Sequence, residues 1–151
     1  MTKSFWDFWL FLIPGGVLSY IISFLSHDLL GIPQGVPFAR FGITGTIAQI
    51  SLLLLPFAIS ASLAAIFYFR RHRRSETGQE IVKCAKKIGF TIFALTILYF
   101  VLSGAWFALV QAPNLIMIAA VLFAPSLSAA AVFWIVFSAT LRLITRWRSI
   151  S

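Results

Sequence analysis

The chain has 151 residues, of which 60% are hydrophobic and 11% are charged, and its mean hydropathy is +0.97. A typical soluble domain is about half apolar and about a quarter charged. A water-soluble fold of this size would therefore have more apolar surface than its interior could bury. The composition excludes an ordinary soluble globule, a disordered chain and a nucleic-acid-binding domain with a solvated basic face. The net charge of +8 has to be interpreted from where the charges lie along the chain.

Four runs without a charged residue predict four membrane-spanning helices, because a helix needs about 20 mainly apolar residues to cross the hydrocarbon layer. An open stretch of backbone in lipid satisfies its own hydrogen bonds only as a helix. We therefore predict an all-α membrane protein that is a bundle of four transmembrane helices in a single domain. The predicted spans are residues 8–25, 46–69, 88–110 and 116–141, with an outer loop at 26–45, a basic loop at 70–87 and a tight turn at 111–114.

The first run also has features of a secretion signal, because Lys3 precedes an apolar stretch. Asp7 and the Pro-Gly-Gly sequence at 14–16 interrupt that stretch, and no small-x-small cleavage site follows it. We therefore predict an uncleaved first span, with residues 14–16 as the strongest candidate for a break in a helix. Prolines also lie inside the second and fourth spans, where a local kink explains them better than a hinge: Pro56 and Pro125.

The positions of the basic residues predict the orientation. With four spans, eleven of the twelve Lys and Arg residues fall on one side of the membrane, and Arg40 alone falls on the other. The positive-inside rule makes the basic side cytoplasmic, together with both termini. We therefore expect a multi-pass protein of the plasma membrane, which in a prokaryote is the inner membrane.

The basic loop and its flanks predict contact with anionic lipids on the cytoplasmic face, where each cation contributes about 1 kcal/mol. Nucleic acid is not an expected partner, because no aromatic residues alternate with these cations to stack on bases. The predicted lipid-contacting residues are Arg70, Arg71, Arg73, Arg74, Lys83, Lys86 and Lys87.

The outer loop contains a candidate site made of His27, Asp28 and Arg40. His27 would act as a base oriented by Asp28, while Arg40 would hold an anion. We favour the alternative that residues 26–28 end a helix at the head-group layer and that Arg40 anchors the next helix. Residues 31–38 alternate Gly and Pro with apolar residues, which favours a packed connector and leaves a gating or interaction role open.

Small residues recur at helical spacing on three of the four spans, and such faces let helices approach closely. We predict that these faces hold the bundle together, and docking of a partner's helix is the alternative. The residues are Ala58, Ser62 and Ala65 in the second span, Gly104 and Ala108 in the third, and Ala124, Ser128 and Ala131 in the fourth.

A weak internal similarity relates the second and fourth spans. Residues 62–68 are similar to residues 128–134 at a constant offset of 66. A duplicated helical hairpin would produce this pattern, and so would chance similarity between two alanine-rich helices.

The absence of charged residues and of His from all four predicted spans limits the chemistry of the protein. Proton relays, voltage sensors and ion-coupled carriers place such residues inside the bundle. The single Cys84 excludes an intrachain disulfide and a cluster held by several thiolates. His27 and His72 fall on opposite sides of the membrane and cannot share a haem or a metal ion. We therefore predict no catalytic residue, no cofactor and no metal, and a protein that is not an enzyme.

Three functions remain in order of preference. The first is a small non-enzymatic membrane protein that acts through helix–helix contacts with another membrane protein, as an accessory subunit, a regulator or an immunity or exclusion factor. A homo-oligomer is the alternative to such a partner. The second is a small oligomeric transporter or channel for a neutral or apolar solute, and the third is a membrane enzyme that uses the outer loop. The transporter requires a set of uncharged polar residues to converge on one cavity: Gln49, Thr91, Thr96, Tyr99 and Asn114.

Overall fold

The computed structural model describes residues 3–33, 36–72, 77–103 and 115–148. Four long helices and one short 3-10 helix account for most of this part of the chain, which contains no strand. All four long helices are long and apolar enough to cross a membrane, which confirms the prediction of an all-helical chain with four helices of spanning length. They are α1 (Lys3–Leu29), α2 (Gly42–His72), α3 (Gly78–Leu102) and α4 (Leu115–Arg148), and the 3-10 helix Phe38–Phe41 precedes α2.

The helices extend beyond the predicted spans because a charged residue marks the edge of the hydrocarbon layer and not the end of a helix. The start of α3 shows this most clearly. The backbone N–H of Thr77 donates to Oε2 of Glu80 at 2.9 Å, and the N–H of Glu80 donates back to Oγ1 of Thr77 at 3.4 Å. This capping box starts α3 at Gly78, ten residues before the predicted span. The predicted end of that span and the turn at 111–114 lie outside the described residues.

Residues 14–16, the strongest candidate for a break, do not interrupt α1, which is a single helix from Lys3 to Leu29. Gly15 lies against α2, where an added Cβ atom would be 2.5 Å from Oγ of Ser60 and 3.1 Å from the carbonyl of Pro56. The Ser60 hydroxyl lies 3.0 Å from the carbonyl oxygen of Phe11 and donates to it. This hydrogen bond joins α2 to α1 beside Pro14, although the carbonyl that loses its usual donor through Pro14 is that of Leu10 and not that of Phe11.

The helices form two antiparallel hairpins that meet along α2 and α4. In the first hairpin, α1 packs on α2, and Oγ of Ser19 lies 3.5 Å from the carbonyl oxygen of Leu52. In the second, α3 packs on α4, and the rings of Phe93 and Phe123 stack with their centroids 4.9 Å apart. The basic ends of all four helices therefore lie at one end of the bundle, and the outer loop lies at the other. We call these the basic end and the loop end.

The hydrophobic core lies in the half of the bundle next to the basic end. Phe8 of α1 is fully buried and meets Phe133 of α4 edge-on at 5.3 Å. Among the described residues, Phe38 and Ala129 are the buried apolar residues that lie outside this core. The other core residues are Phe5, Ala61, Ala64, Ala65, Tyr68, Ile81, Cys84, Ala85, Ile88, Phe137 and Leu141.

The internal similarity at an offset of 66 does not correspond to equivalent packing. Tyr68 is buried, whereas its counterpart Trp134 is half exposed, and Phe133 is buried whereas its counterpart Phe67 is not. The buried face of α4 is therefore rotated relative to the matching face of α2. Chance similarity between two alanine-rich helices explains this difference better than a duplicated hairpin does.

Candidate functional site

His27 holds the outer loop against the end of α1. Its Nδ1 atom lies 2.9 Å from the carbonyl oxygen of Ser23, and its Nε2 atom lies 3.2 Å from that of Val36. The imidazole also packs on the ring of Phe38, with centroids 4.2 Å apart. Both ring nitrogens face backbone carbonyls, so the position of the ring is fixed by the loop rather than by the neighbouring Asp28.

Phe38 makes a second set of contacts that hold the outer loop, here against α2. This side chain is buried, and its backbone N–H donates to Oε1 of Gln49 at 3.1 Å. Gly45 makes this possible, since a Cβ atom there would overlap with the carbonyl oxygen of Phe38. The side chains of Asp28 and Arg40 are exposed. The structure therefore supports a packed connector here and joins neither Asp28 nor Arg40 to the ring of His27.

The uncharged polar residues required for a transporter do not come together in the described part of the chain. Gln49 of α2 supports the outer loop, as described above. The hydroxyls of Thr91 and Thr96 donate to carbonyls one turn earlier in their own helix, at 2.9 Å each, and Tyr99 is exposed. Asn114 lies outside the described residues. The four of these residues that the structure describes therefore do not line a common cavity.

Asp7 is a buried carboxylate that the sequence analysis placed outside the first span. α1 begins at Lys3, and the Asp7 side chain is 7% exposed in the packed half of the bundle. Its Oδ2 atom has no hydrogen-bond partner among the described residues. Arg71 and His72 at the end of α2 interact with it electrostatically. The predicted span 8–25 contains no charged residue, but α1 begins before it and buries Asp7 within the bundle.

The cations of the basic loop lie at the surface of the basic end. Arg70, Arg71, Lys83, Lys86 and Lys87 are all exposed, which leaves them available to lipid head groups. Arg73 and Arg74 lie outside the described residues. In the described part of the chain, no three His, Cys, Asp or Glu side chains form a group that could hold a metal ion.

The small-residue face of α2 is used inside the bundle, although it is rotated from the predicted one. Ala61, Ala64 and Ala65 are fully buried. Of the predicted residues, Ala65 belongs to this face, while Ala58 and Ser62 are half buried. Gly89 of α3 was not among the predicted packing residues, although a Cβ atom there would lie 3.1 Å from that of Ala130. An isolated glycine in an apolar helix was the signal that could have identified this contact.

The small-residue face of α4 is directed away from the bundle. Helix α4 packs through the opposite side, where Ser126, Ala129, Phe133 and Phe137 are buried. The predicted residues on the outside form a continuous strip along about two helical turns. We call this strip the outer α4 face, and it consists of Ala124, Leu127, Ser128 and Ala131.

The exposure of the outer α4 face distinguishes between two roles of its small residues, which are packing within the bundle and docking of a partner's helix. Ala124 and Ala131 are exposed, Ser128 is half buried, and Leu127 between them is 66% exposed. The Ser128 hydroxyl donates to the carbonyl of Pro125 in the same helix at 3.0 Å, so it needs no partner elsewhere. This face therefore does not hold the described bundle together. Gly104 and Ala108, predicted on α3, lie outside the described residues.

Comparison with known protein families, curated proteins and solved structures finds no match for this chain. The class of protein is therefore defined by the fold alone. Four apolar helices in two antiparallel hairpins are the architecture of a multi-pass α-helical membrane protein.

Proposed function

We propose that the protein is a small non-enzymatic membrane protein that acts through helix–helix contacts with another membrane protein. Its role would be that of an accessory subunit, a regulator, or an immunity or exclusion factor. The observation that carries this proposal is the outer α4 face, whose small residues point away from the bundle although small residues elsewhere are buried in it. Another membrane helix is the occupant that such a face fits best.

The physical reason lies in how helices associate in lipid. Apolar side chains gain little by leaving lipid for protein, so association depends on close van der Waals packing. Ala124 and Ala131 lie two turns apart and allow the backbone of a second helix to approach. Leu127 projects between them and would fill the space between side chains of that helix, as in other packed helix pairs. Flexible lipid chains do not match such a surface equally well.

The proposed location is the plasma membrane, with the basic end in the cytoplasm. The concentration of Lys and Arg at that end supports this orientation. The same exposed cations would contact anionic lipids of the cytoplasmic leaflet. Reporter fusions at the two ends of the chain test the orientation, and an active periplasmic or extracellular reporter at either terminus would contradict it.

Co-purification in a mild detergent, after cross-linking in the native membrane, tests the proposed function. The informative variant is Ala124→Leu with Ala131→Leu, which fills the outer α4 face and touches no buried core residue. Ala94→Leu is the matched control, because Ala94 is also an exposed alanine in a membrane helix but lies on α3. We expect a stoichiometric membrane partner with the native chain and with the control, and about a tenfold loss with the α4 variant.

Three outcomes would overturn the proposal. The chain would purify without a stoichiometric partner, or the partner would be retained equally by the α4 variant and the control. Alternatively, the partner would be a second copy of this chain, which would make the outer α4 face a homo-oligomer interface. Thermal unfolding of the α4 variant in detergent, with a midpoint close to that of the native chain, establishes that its fold is intact.

A further inference from the structure

A groove at the basic end lies between the start of α3 and about the last four turns of α4. Its volume is about 980 Å³, within the range of cavities that take small ligands. Gly78, Ile81 and Val82 form the α3 side, and residues 134–146 provide the α4 side. The groove does not include any residue of the outer α4 face. It is therefore a separate feature from the surface that carries the proposed function.

The lining changes from basic to apolar along α4. Arg142 and Arg146 lie one helical turn apart near the end of the helix, and both are exposed. Trp134 and Ile135 lie about 12 Å further toward the loop end, at a rise of about 1.5 Å per residue. Val82 of α3 adds to the apolar part. A ligand that matches this groove has an anionic end and an apolar end.

The start of α3 adds to the positive potential at the basic part of the groove. The N-terminus of a helix carries a partial positive charge and unpaired N–H groups. Gly78 lines the groove, and no atom lies within 4 Å of the position that its Cβ atom would take, so the first turn is accessible. The carboxylate of Glu80 accepts from the backbone of Thr77 as part of the capping box and offsets part of this helix charge, so Arg142 and Arg146 supply most of the positive potential. Two guanidinium groups and a helix start therefore lie at the same end of the groove.

We propose that this groove binds one anionic phospholipid. The phosphate lies between Arg142, Arg146 and the start of α3, and an acyl chain follows Trp134 and Ile135 toward the membrane interior. A soluble anion would use the basic part alone, and a neutral lipid would use the apolar part alone. The groove offers both, in the order in which a phospholipid presents them. This site involves different cations from the exposed ones of the basic loop and does not depend on the proposed function.

Titration of the delipidated full-length protein with phosphatidylglycerol, followed by native mass spectrometry, tests the proposal. Phosphatidylcholine with the same acyl chains is the neutral comparison. We expect one phosphatidylglycerol per chain, bound at least about tenfold more tightly than phosphatidylcholine. The double variant Arg142→Gln with Arg146→Gln should lower the affinity for phosphatidylglycerol by about 30-fold, since each cation near a lipid surface contributes about a fivefold factor.

Two further variants separate the groove from general surface charge. Lys83→Gln with Lys86→Gln removes the same charge from exposed positions of α3 outside the groove and should change the affinity less than about threefold. Ala139→Phe fills the groove and keeps both arginines, because Ala139 is an exposed lining residue. This variant should lower the affinity for phosphatidylglycerol about tenfold. An equal loss in the arginine and lysine variants would overturn the proposal in favour of general surface attraction.

The occupant is tested by the remaining comparisons. Equal affinity for phosphatidylcholine would identify an apolar groove without head-group recognition. Displacement of the lipid by inorganic phosphate at similar concentration would identify a site for a soluble anion. Either result would overturn the proposal. If the arginine variant fails to fold in detergent, the Ala139→Phe variant alone tests the proposal. Unchanged lipid binding by Ala139→Phe would show that the lipid does not bind in the groove.

Discussion

Replacement of Gly15 by alanine tests the close approach of α1 and α2, on which the first hairpin depends. The added Cβ atom would lie 2.5 Å from Oγ of Ser60 and 3.1 Å from the carbonyl oxygen of Pro56. Rotation of the Ser60 side chain would relieve the first contact. That rotation would disrupt the hydrogen bonding of its single O–H, which lies between the carbonyl oxygens of Phe11 and Pro56 at 3.0 and 2.6 Å. The carbonyl contact would remain, because a helix backbone cannot shift independently.

The expected magnitude follows from three contributions. An alanine in place of a helix glycine gains about 1 kcal/mol. Overpacking against the fixed carbonyl costs about 1–3 kcal/mol, and the lost hydrogen bonding of Ser60 costs about 1 kcal/mol. Gly15→Ala should therefore lower the free energy of unfolding by about 1–3 kcal/mol.

Gly16→Ala is the matched control for this experiment. Gly16 is the next residue in the same helix, and no atom lies within 4 Å of the position of its Cβ atom. The control gains the helix preference of alanine without the contact, so it should raise stability by about 1 kcal/mol. The two variants should therefore differ by at least about 2 kcal/mol. Unfolding of the purified protein by added sodium dodecyl sulfate in mixed micelles, followed by tryptophan fluorescence, measures the difference.

A double-mutant cycle identifies the cause of the loss. In a Ser60→Ala background the closest contact of the new methyl group is absent, so Gly15→Ala should cost less there by about 1 kcal/mol. Equal stability of the Gly15 and Gly16 variants would refute the reasoning, because it would mean that α1 and α2 do not approach closely at Gly15. A loss that is unchanged in the Ser60→Ala background would place its cause elsewhere.

Two further predictions concern the ends of the bundle. Arg71→Gln should lower stability by about 0.5 kcal/mol more than Arg70→Gln, because the exposed guanidinium of Arg71 attracts the carboxylate of Asp7 across partly screened surroundings, and this difference should vanish in an Asp7→Asn background. Equal effects of the two arginine variants in the same unfolding assay would contradict that role. Gly45→Ala should release the outer loop from α2, since its methyl group overlaps with the carbonyl of Phe38. Faster hydrogen exchange of the loop amides measures this release, and unchanged exchange would show that the loop is held in another way.

The number of helices and their pairing were predictable because charge has a strong energetic effect in a membrane. A cation at the centre of the bilayer costs about 2.5–3.5 kcal/mol on the insertion scale, so Lys and Arg outline the spans. The basic residue groups around 70–87 and at the end of α4 fixed the count at four. The helix ends were not predictable from the same signal, because helices continue through the head-group layer. The capping box at Thr77 and Glu80 was the local signal for the true start of α3.

The packing faces were predictable only in part, for a physical reason. A helix of a soluble protein shows its buried side as an apolar stripe, whereas a membrane helix is apolar on all sides. The sequence of α4 therefore offered small residues at several angles around the helix. Packing selected Ala129 and Phe133 for the inside and left Ala124 and Ala131 outside. Only the three-dimensional structure shows which of these two faces meets α2 and α3.

Asp7 shows a second reason why the predicted start of a span does not give the boundary of the packed bundle. A carboxylate next to an apolar run predicts the edge of the membrane, and the run after it was correctly assigned to a span. Whether the Asp7 carboxylate is buried depends on which residues of the neighbouring helices lie beside it. The sequence of α1 alone does not contain this information. Here the end of α2 brings Arg71 and His72 near the carboxylate. A charged residue near a helix end can thus be part of the bundle when another helix supplies the opposite charge.

The position of the core makes the two proposals separable by experiment. The buried residues that determine stability lie near the basic end, and none of them belongs to the outer α4 face. Leucine at Ala124 and Ala131 should therefore leave the fold intact, and a lost partner would report on the surface itself. The lipid groove lies beside the core, where Ile81 and Leu141 belong to both. Lipid in the groove should therefore raise the stability of the bundle. The variant with leucine at Ala124 and Ala131 should lose its partner and still bind lipid as the native chain does.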